Sequence, residues 1–203
     1  MDKLTFTQVG TEYTVAAKNK TIDGEVIIPY KYLDHVVTSI KNHGFNRCEY
    51  ITSVIINAKI TVIPDYAFMG CCALKRIVIP STVKTINYAG ICLYNYTSKT
   101  IDYKKSCDII FEENSELEYV GHFGISHGTI RIFFCSPVNA LLHHNAYGYG
   151  SISVYSPLSF KFNGTLQTHY TDYCYPRVYP DSNKKCTRPR CIKKEPSLFI
   201  VLL

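Results

Sequence analysis

No tryptophan occurs in this chain, methionine occurs twice, and charged residues make up only 19% of it. No apolar run approaches the ~18 residues that a membrane-crossing helix needs. The greasiest end, Ser197–Leu203 (SLFIVLL), is too short. The opening MDKLTFTQVG lacks the apolar core of a secretory signal, which points to the cytosol or to an export route that the residues do not spell out. Catalytic signatures are missing too. There is no G-x-S-x-G, no Walker-type loop, no G-x-G-x-x-G in a strand–helix setting and no H-E-x-x-H. An enzyme reading has little to stand on, and no cofactor is expected.

Residues that suggest chemistry have plainer explanations. Nine cysteines cannot all pair within one chain, so this is not a disulfide framework. Cys71 and Cys72 are adjacent, a spacing that does not readily bridge, and no C-x-x-C surrounds them. On paper His169, Cys174, Cys186 and Cys191 make a zinc set, but their spacing fits no zinc pattern and the tail lacks an apolar frame to hold them. His143 and His144 are neighbours, so one face of a strand takes only one of them. His122 and His127, in GHFGISHG, read as turn residues. The glycosylation sequons at Asn19, Asn95 and Asn163 are about as many as chance supplies.

What is present is a chain that is 46% hydrophobic, enough for one domain with a core plus a tail. Its net charge of +6 is concentrated after Asp172, in Arg177, Lys184, Lys185, Arg188, Arg190, Lys193 and Lys194. Such a run can meet nucleic acid or a membrane surface, but it is more often simply solvated. Tyrosine numbers 17, which supplies rigid amphipathic area suited to interfaces.

The strongest signal is a repeat. Ile40, Ile63 and Ile86 recur at one fixed step, and so do Phe45, Phe68 and Ile91, and Gly44, Ala67 and Gly90. Cys48 maps on Cys71, Ile51 on Leu74, Val54 on Ile77 and Ile56 on Ile79. The pattern decays after about residue 91 without vanishing. Ile109 takes the place of Ile77, Phe111 that of Ile79, Leu117 that of Val83 and Val120 that of Ile86, after a longer turn. Ala146-Tyr147 stands for Ala67-Phe68 in a fainter copy, and Val26–Ile40 reads as a first half-repeat.

One unit explains its own residues. In LKRIVIP, Ile77 and Ile79 face one side of a short strand, and Leu74 joins them from the turn. Arg76 and Val78 point the other way, and Pro80, without an N–H, ends the ladder. Val83 and Ile86 turn back inward. A single coil cannot cover its apolar face, but coils stacked ~4.8 Å apart cover one another. Cys48 and Cys71, on the ladder, are therefore read as small buried hydrophobes; Cys72 is off it.

VTSIKNHGFNRCEYITSVII, ITVIPDYAFMGCCALKRIVIP and STVKTINYAG resemble BspA-like leucine-rich repeats of the treponemal type. That pattern has Val-Thr-x-Ile-Gly, then Ala-Phe, then Cys, then Leu-x-x-Ile-x-Ile-Pro. The likeness is close over 36–90, partial over 108–155 and absent after about 171. Here Ile-Gly becomes Ile40-Lys41, Ile63-Pro64 and Ile86-Asn87, while Val120-Gly121 keeps it. Gly90-Ile91 replaces the third Ala-Phe, and a bulge is expected there. The resemblance implies a curved solenoid with short parallel strands on its concave face. It also implies surface-antigen or adhesin roles, with host matrix or cell-surface proteins as partners, and hence a cell-surface address.

The expected fold is thus a mainly β, or α+β, leucine-rich repeat solenoid. Lead-in strands occupy 1–35 and the array 36–171, with a hairpin cap at 158–168 around Asn163-Gly164 and a basic tail at 172–203. The expected function is non-catalytic protein binding. The alternatives are an intracellular interaction scaffold, or nucleic-acid or membrane-surface binding through the tail. The expected contact residues are Ser53, Ile55, Arg76, Val78, Asp108 and Ile110, which alternate with the buried rungs.

Overall fold

Runs rich in valine and isoleucine, each one strand long, supply the regular structure, because β-branched side chains suit a pleated, half-buried surface. The computed structural model describes residues 2–94, 106–136, 140–142, 146, 150–155 and 177–178. The hairpin cap, the zinc set, His143-His144, Asn95 and Asn163 lie outside the described residues, as does most of the basic tail.

The chain opens with an antiparallel hairpin, β1 (Leu4–Val9) and β2 (Glu12–Ala17). β3 (Asp23–Ile28), β4 (Lys31–Tyr32) and β5 (His35–Ile40) follow. Repeating coils then begin with β6 (Tyr50–Ile56) and β7 (Val62–Ile63). The next contributes β8 (Arg76–Ile79), β9 (Thr85–Ile86) and β10 (Ile91–Cys92). After it come β11 (Ser106–Phe111), β12 (Tyr119–Val120) and β13 (Ile125–Ser126). β14 (Gly128–Phe134), β15 (Leu141–Leu142), β16 (Gly150–Tyr155) and β17 (Arg177–Val178) complete the set. No helix occurs among the described residues.

Successive coils add strands to the sides of the stack. The long sheet runs β17-β16-β14-β11-β8-β6-β3, every pair parallel. A second parallel sheet runs β15-β12-β9-β7, and a third side pairs β10 with β13. This is the solenoid that the repeat requires. The lead-in and the array interlock: β3 is the first rung of the long sheet, whereas β5 joins β1, β2 and β4 in a separate four-stranded sheet.

Register matches the sequence alignment where that alignment reached. Val54 faces Ile77, Ile77 faces Ile109, Phe111 faces Ile79 and Val120 faces Ile86. The rung it passed over is β14. Ile132 lies beside Ile109 and Phe134 beside Phe111, both pairs at the repeat step already seen between Ile40 and Ile63.

The repeat positions Ile40, Phe45, Cys48, Ile51, Val54, Ile56, Ile63, Phe68, Cys71, Leu74, Ile77, Ile79, Val83 and Ile86 are all buried. Phe45 stacks on Phe68 at 5.1 Å between ring centroids, and Phe111 on Phe134 at 4.6 Å. At the bend beside these plugs, backbone bonds continue from coil to coil. Phe45 N–H donates to the Ala67 carbonyl, Phe68 to Gly90, and Ile91 to Gly124, each at 2.8 Å. The ladder therefore runs through Gly90-Ile91 without the expected bulge. Glycine suits the close packing there, because a Cβ on Gly90 would sit 2.9 Å from Ile86 Cγ2 and 3.2 Å from Ile63 Cγ2 and would force those side chains to shift.

An open edge of a parallel sheet invites further pairing. On the outer edge of β3, Lys3 Nζ donates to the carbonyls of Asp23 at 2.5 Å and Glu25 at 3.2 Å. A charged side chain thus occupies acceptors that another strand would use.

Candidate protein-binding face

Side chains alternate along each strand of the long sheet, so what does not enter the core forms rows on its other face. Two rows matter. The first places Glu25, Ser53, Arg76, Asp108, Arg131 and Ser153 side by side, with Arg177 at the next register position. The second, two residues further along each strand, aligns Ile27, Ile55, Val78, Ile110 and Phe133. A charged row thus runs beside an apolar one across successive coils.

The structure brings all six expected contact residues into these two rows. Ser53, Ile55, Arg76 and Val78 are partly exposed. Asp108 and Ile110 are not, and the expectation that they meet solvent is corrected: they are 8% and 5% exposed. Asp108 accepts a hydrogen bond from Arg131 Nε at 2.7 Å, which folds the guanidinium over the carboxylate. Ile110 lies between Val78 and Phe133 on its flanking strands, with the larger Phe133 ring on one side. Sequence reasoning missed Glu25, Ile27, Arg131 and Phe133. The signal for the last two was the same step that places Ile132 on Ile109.

The charges in the polar row are mostly answered. Ser53 Oγ donates to Glu25 Oε2 at 3.4 Å, and Asp108 holds Arg131. Arg76 differs. Its Nε is shielded from solvent and has no hydrogen-bond partner, a state it shares among the described residues only with Ser115 Oγ.

The opposite side of the coil carries an aromatic ladder. His43 stacks on Tyr66 at 4.5 Å, and Tyr66 meets Tyr88 edge-to-face at 5.1 Å. Tyr88 continues to His122 at 5.5 Å. Below it a cleft of about 250 Å³ is lined by Tyr88, Cys92, Tyr94, Phe123 and His127 among others. Cys92 Sγ lies 3.3 Å from His127 Nδ1, the spacing of a nucleophile and its base. The electrostatics oppose that role. Burial pushes the Cys92 thiol up and the His127 imidazole down, so both are neutral near pH 7. An activated cysteine needs the reverse, a lowered thiol beside a cation.

The other thiols are structural. Cys71 Sγ donates to the Phe45 carbonyl at 3.2 Å, and Cys48 Sγ to Asn19 O at 3.8 Å. Cys72, which the repeat alone left unexplained, points to the Glu49 carbonyl of the preceding coil at 3.9 Å. Cys48 and Cys71, stacked one coil apart, are both thiols with no bridge between them. His122 and His127 sit in turns, the latter with a φ of 61°.

Short parallel strands stacked in register, with Leu-x-x-Ile-x-Ile at Leu74–Ile79 and apolar residues at the last two of those positions in the neighbouring coils, define a leucine-rich repeat solenoid. Residues 30–121 match the family described as BspA type Leucine rich repeat region, in 6 copies, and form a BspA-like leucine-rich repeat array. Among solved structures it is similar to the crystal structure of the T. pallidum Leucine Rich Repeat protein (TpLRR). The TM-score is 0.50 at 18% identity, covering 75% of this chain and 68% of that one, a likeness of fold. Comparison with curated proteins finds no match.

Proposed function

We propose that this protein is a non-catalytic scaffold that recognises a partner protein across the outer face of its long sheet. The observation that carries the reading is the pair of rows, one charged and one apolar, aligned across consecutive coils. An apolar strip rimmed by polar groups is the composition of a protein-binding patch. Ile27 at its end is 48% exposed, a cost in water that a partner removes. Glu25 and Asp108 within the polar row count against a nucleic-acid backbone as the occupant, since phosphates repel carboxylates.

The finer reading is a surface antigen that adheres to host matrix or cell-surface protein, and it is supported by the BspA-like resemblance. Antibody labelling of intact against permeabilised cells tests it. Staining of intact cells supports adhesion, and staining only after permeabilisation replaces it with an intracellular scaffold. Binding itself is tested on immobilised matrix proteins with the double variant Ile55→Asp, Val78→Asp. Loss of binding with unchanged folding supports the face, whereas retained binding rejects it.

A further inference from the structure

We infer that Arg76 is the receptor for an acidic side chain of the partner, so that the face takes a segment in which Asp or Glu is flanked by apolar residues. This rests on the reading of the long sheet's outer face as the binding surface, and adds to it the chemistry of what binds.

The polar row has two cations among its described side chains, Arg76 and Arg131. Arg131 is committed to Asp108 at 2.7 Å. Glu25, the other carboxylate of the row, accepts from Ser53. Arg76 lies in register between Ser53 and Asp108, and its Nε is shielded from solvent and has no acceptor. Buried polar groups are nearly always hydrogen-bonded, so an orphaned donor on a cation asks for an explanation. The residue as a whole is only partly buried, so an incoming group can reach the guanidinium. The group that best fits its planar fork is a carboxylate.

The surroundings set what flanks that carboxylate. Val78 lies two residues along the same strand, about 7 Å away, and Ile55 sits beside Val78 on the next strand. A partner acid seated on Arg76 therefore brings its neighbours over an apolar strip that continues to Ile27 on one side and Phe133 on the other. A polyanion is disfavoured because Glu25 and Asp108 stand one or two rungs from Arg76. A single carboxylate in an apolar frame fits.

The test uses the full chain and a phage-displayed library of random 12-residue peptides, followed by affinity measurement on the enriched peptides made synthetically. The expected result is enrichment of an Asp or Glu between apolar residues. Affinity should fall at least tenfold for Arg76→Gln, and equally when the peptide's acid is replaced by its amide, a change that leaves the protein untouched. Lys75→Gln, at an exposed neighbour that is not part of the row, should leave affinity unchanged. Peptides lacking an acid that are nevertheless lost on Ile55→Asp, Val78→Asp overturn the role of Arg76 while keeping the face. Peptides indifferent to both sets of substitutions, or no enrichment at all, overturn both.

Discussion

The two faces of the long sheet are built by the same strands under opposite constraints. Inside, one row reads Val26, Val54, Ile77, Ile109, Ile132 and Val154, all buried. Outside, the residues one position earlier read Glu25, Ser53, Arg76, Asp108, Arg131 and Ser153. The inner row is nearly constant because each side chain fills the same volume between identical coils, where a methylene more or less is felt. The outer row changes sign and size at every rung. What the fold leaves unspecified is where a partner's chemistry can be written.

The sharpest way to break this contrast is to cut neighbouring residues of one strand. Ile77→Ala should lower unfolding stability by about 2–5 kcal/mol in a urea titration, as other buried isoleucines do. Val78→Ala, on the other face, should stay within about 1 kcal/mol. Similar losses at both positions would mean that the outer face is also core.

Asp108 is where the contrast is already blurred, since it belongs to the outer row by register and to the interior by burial. Arg131→Ala strips its guanidinium partner and leaves a shielded carboxylate, at a cost of about 1–3 kcal/mol. The lower part of that range is favoured because the Arg131 side chain is 44% exposed and water screens the pair. Asp108→Asn together with Arg131→Ala should recover much of the loss. If the single variant is as stable as the parent, Asp108 is held by something other than Arg131.

The interior also has a pH signature. Burial raises the Cys71 and Cys107 thiols well above their ordinary value of 9.0; the nearby Cys48 adds to this for Cys71, and the Asp108 charge for Cys107. The folded chain therefore keeps protons that the unfolded chain releases above pH 9. Their contribution to stability is intact below pH 9 and declines as pH rises beyond it, by up to about 1.4 kcal/mol per thiol per pH unit. Cys71→Ala should flatten the alkaline arm of a stability–pH curve relative to the parent. An unchanged arm would show that this thiol ionises as freely folded as unfolded.

Legibility followed the same division. The inner rungs were readable because stacking forces like residues to recur, and Ile77, Ile109 and Val120 announce their neighbours by position alone. β14 was passed over although Ile132 repeats Ile109 and Arg131 stands at the position of Arg76, because Phe133 and Phe134 replace the small aliphatic residues of β8. The outer face was readable only as alternation. That placed Arg76 and Val78 correctly but not the burial of Asp108 and Ile110, which depends on Arg131 and Phe133 one coil away. The aromatic ladder from His43 to His122 was hidden for a further reason. His43 and Tyr66 hold the positive-φ turn position that Ala89 and Phe123 hold in later coils, whereas Tyr88 and His122 lie one residue earlier, so no single repeat position carries the ladder.

The smallest expected effect bears most directly on recognition. Arg76→Met keeps the apolar stem that packs on the sheet and removes the orphaned Nε. Had the guanidinium served the fold, its loss would destabilise the chain, as loss of Arg131 should. With no acceptor to lose, the variant should instead match the parent within about 0.5 kcal/mol or slightly exceed it, since replacing an unsatisfied buried donor by an apolar group is neutral to favourable. Urea unfolding of the two single variants, Arg76→Met and Arg131→Ala, compares a cation the fold uses with one it does not. A loss at position 76 as large as that at 131 would return Arg76 to the scaffold. Unchanged stability leaves its charge without a structural purpose, the condition that a role in recognition requires.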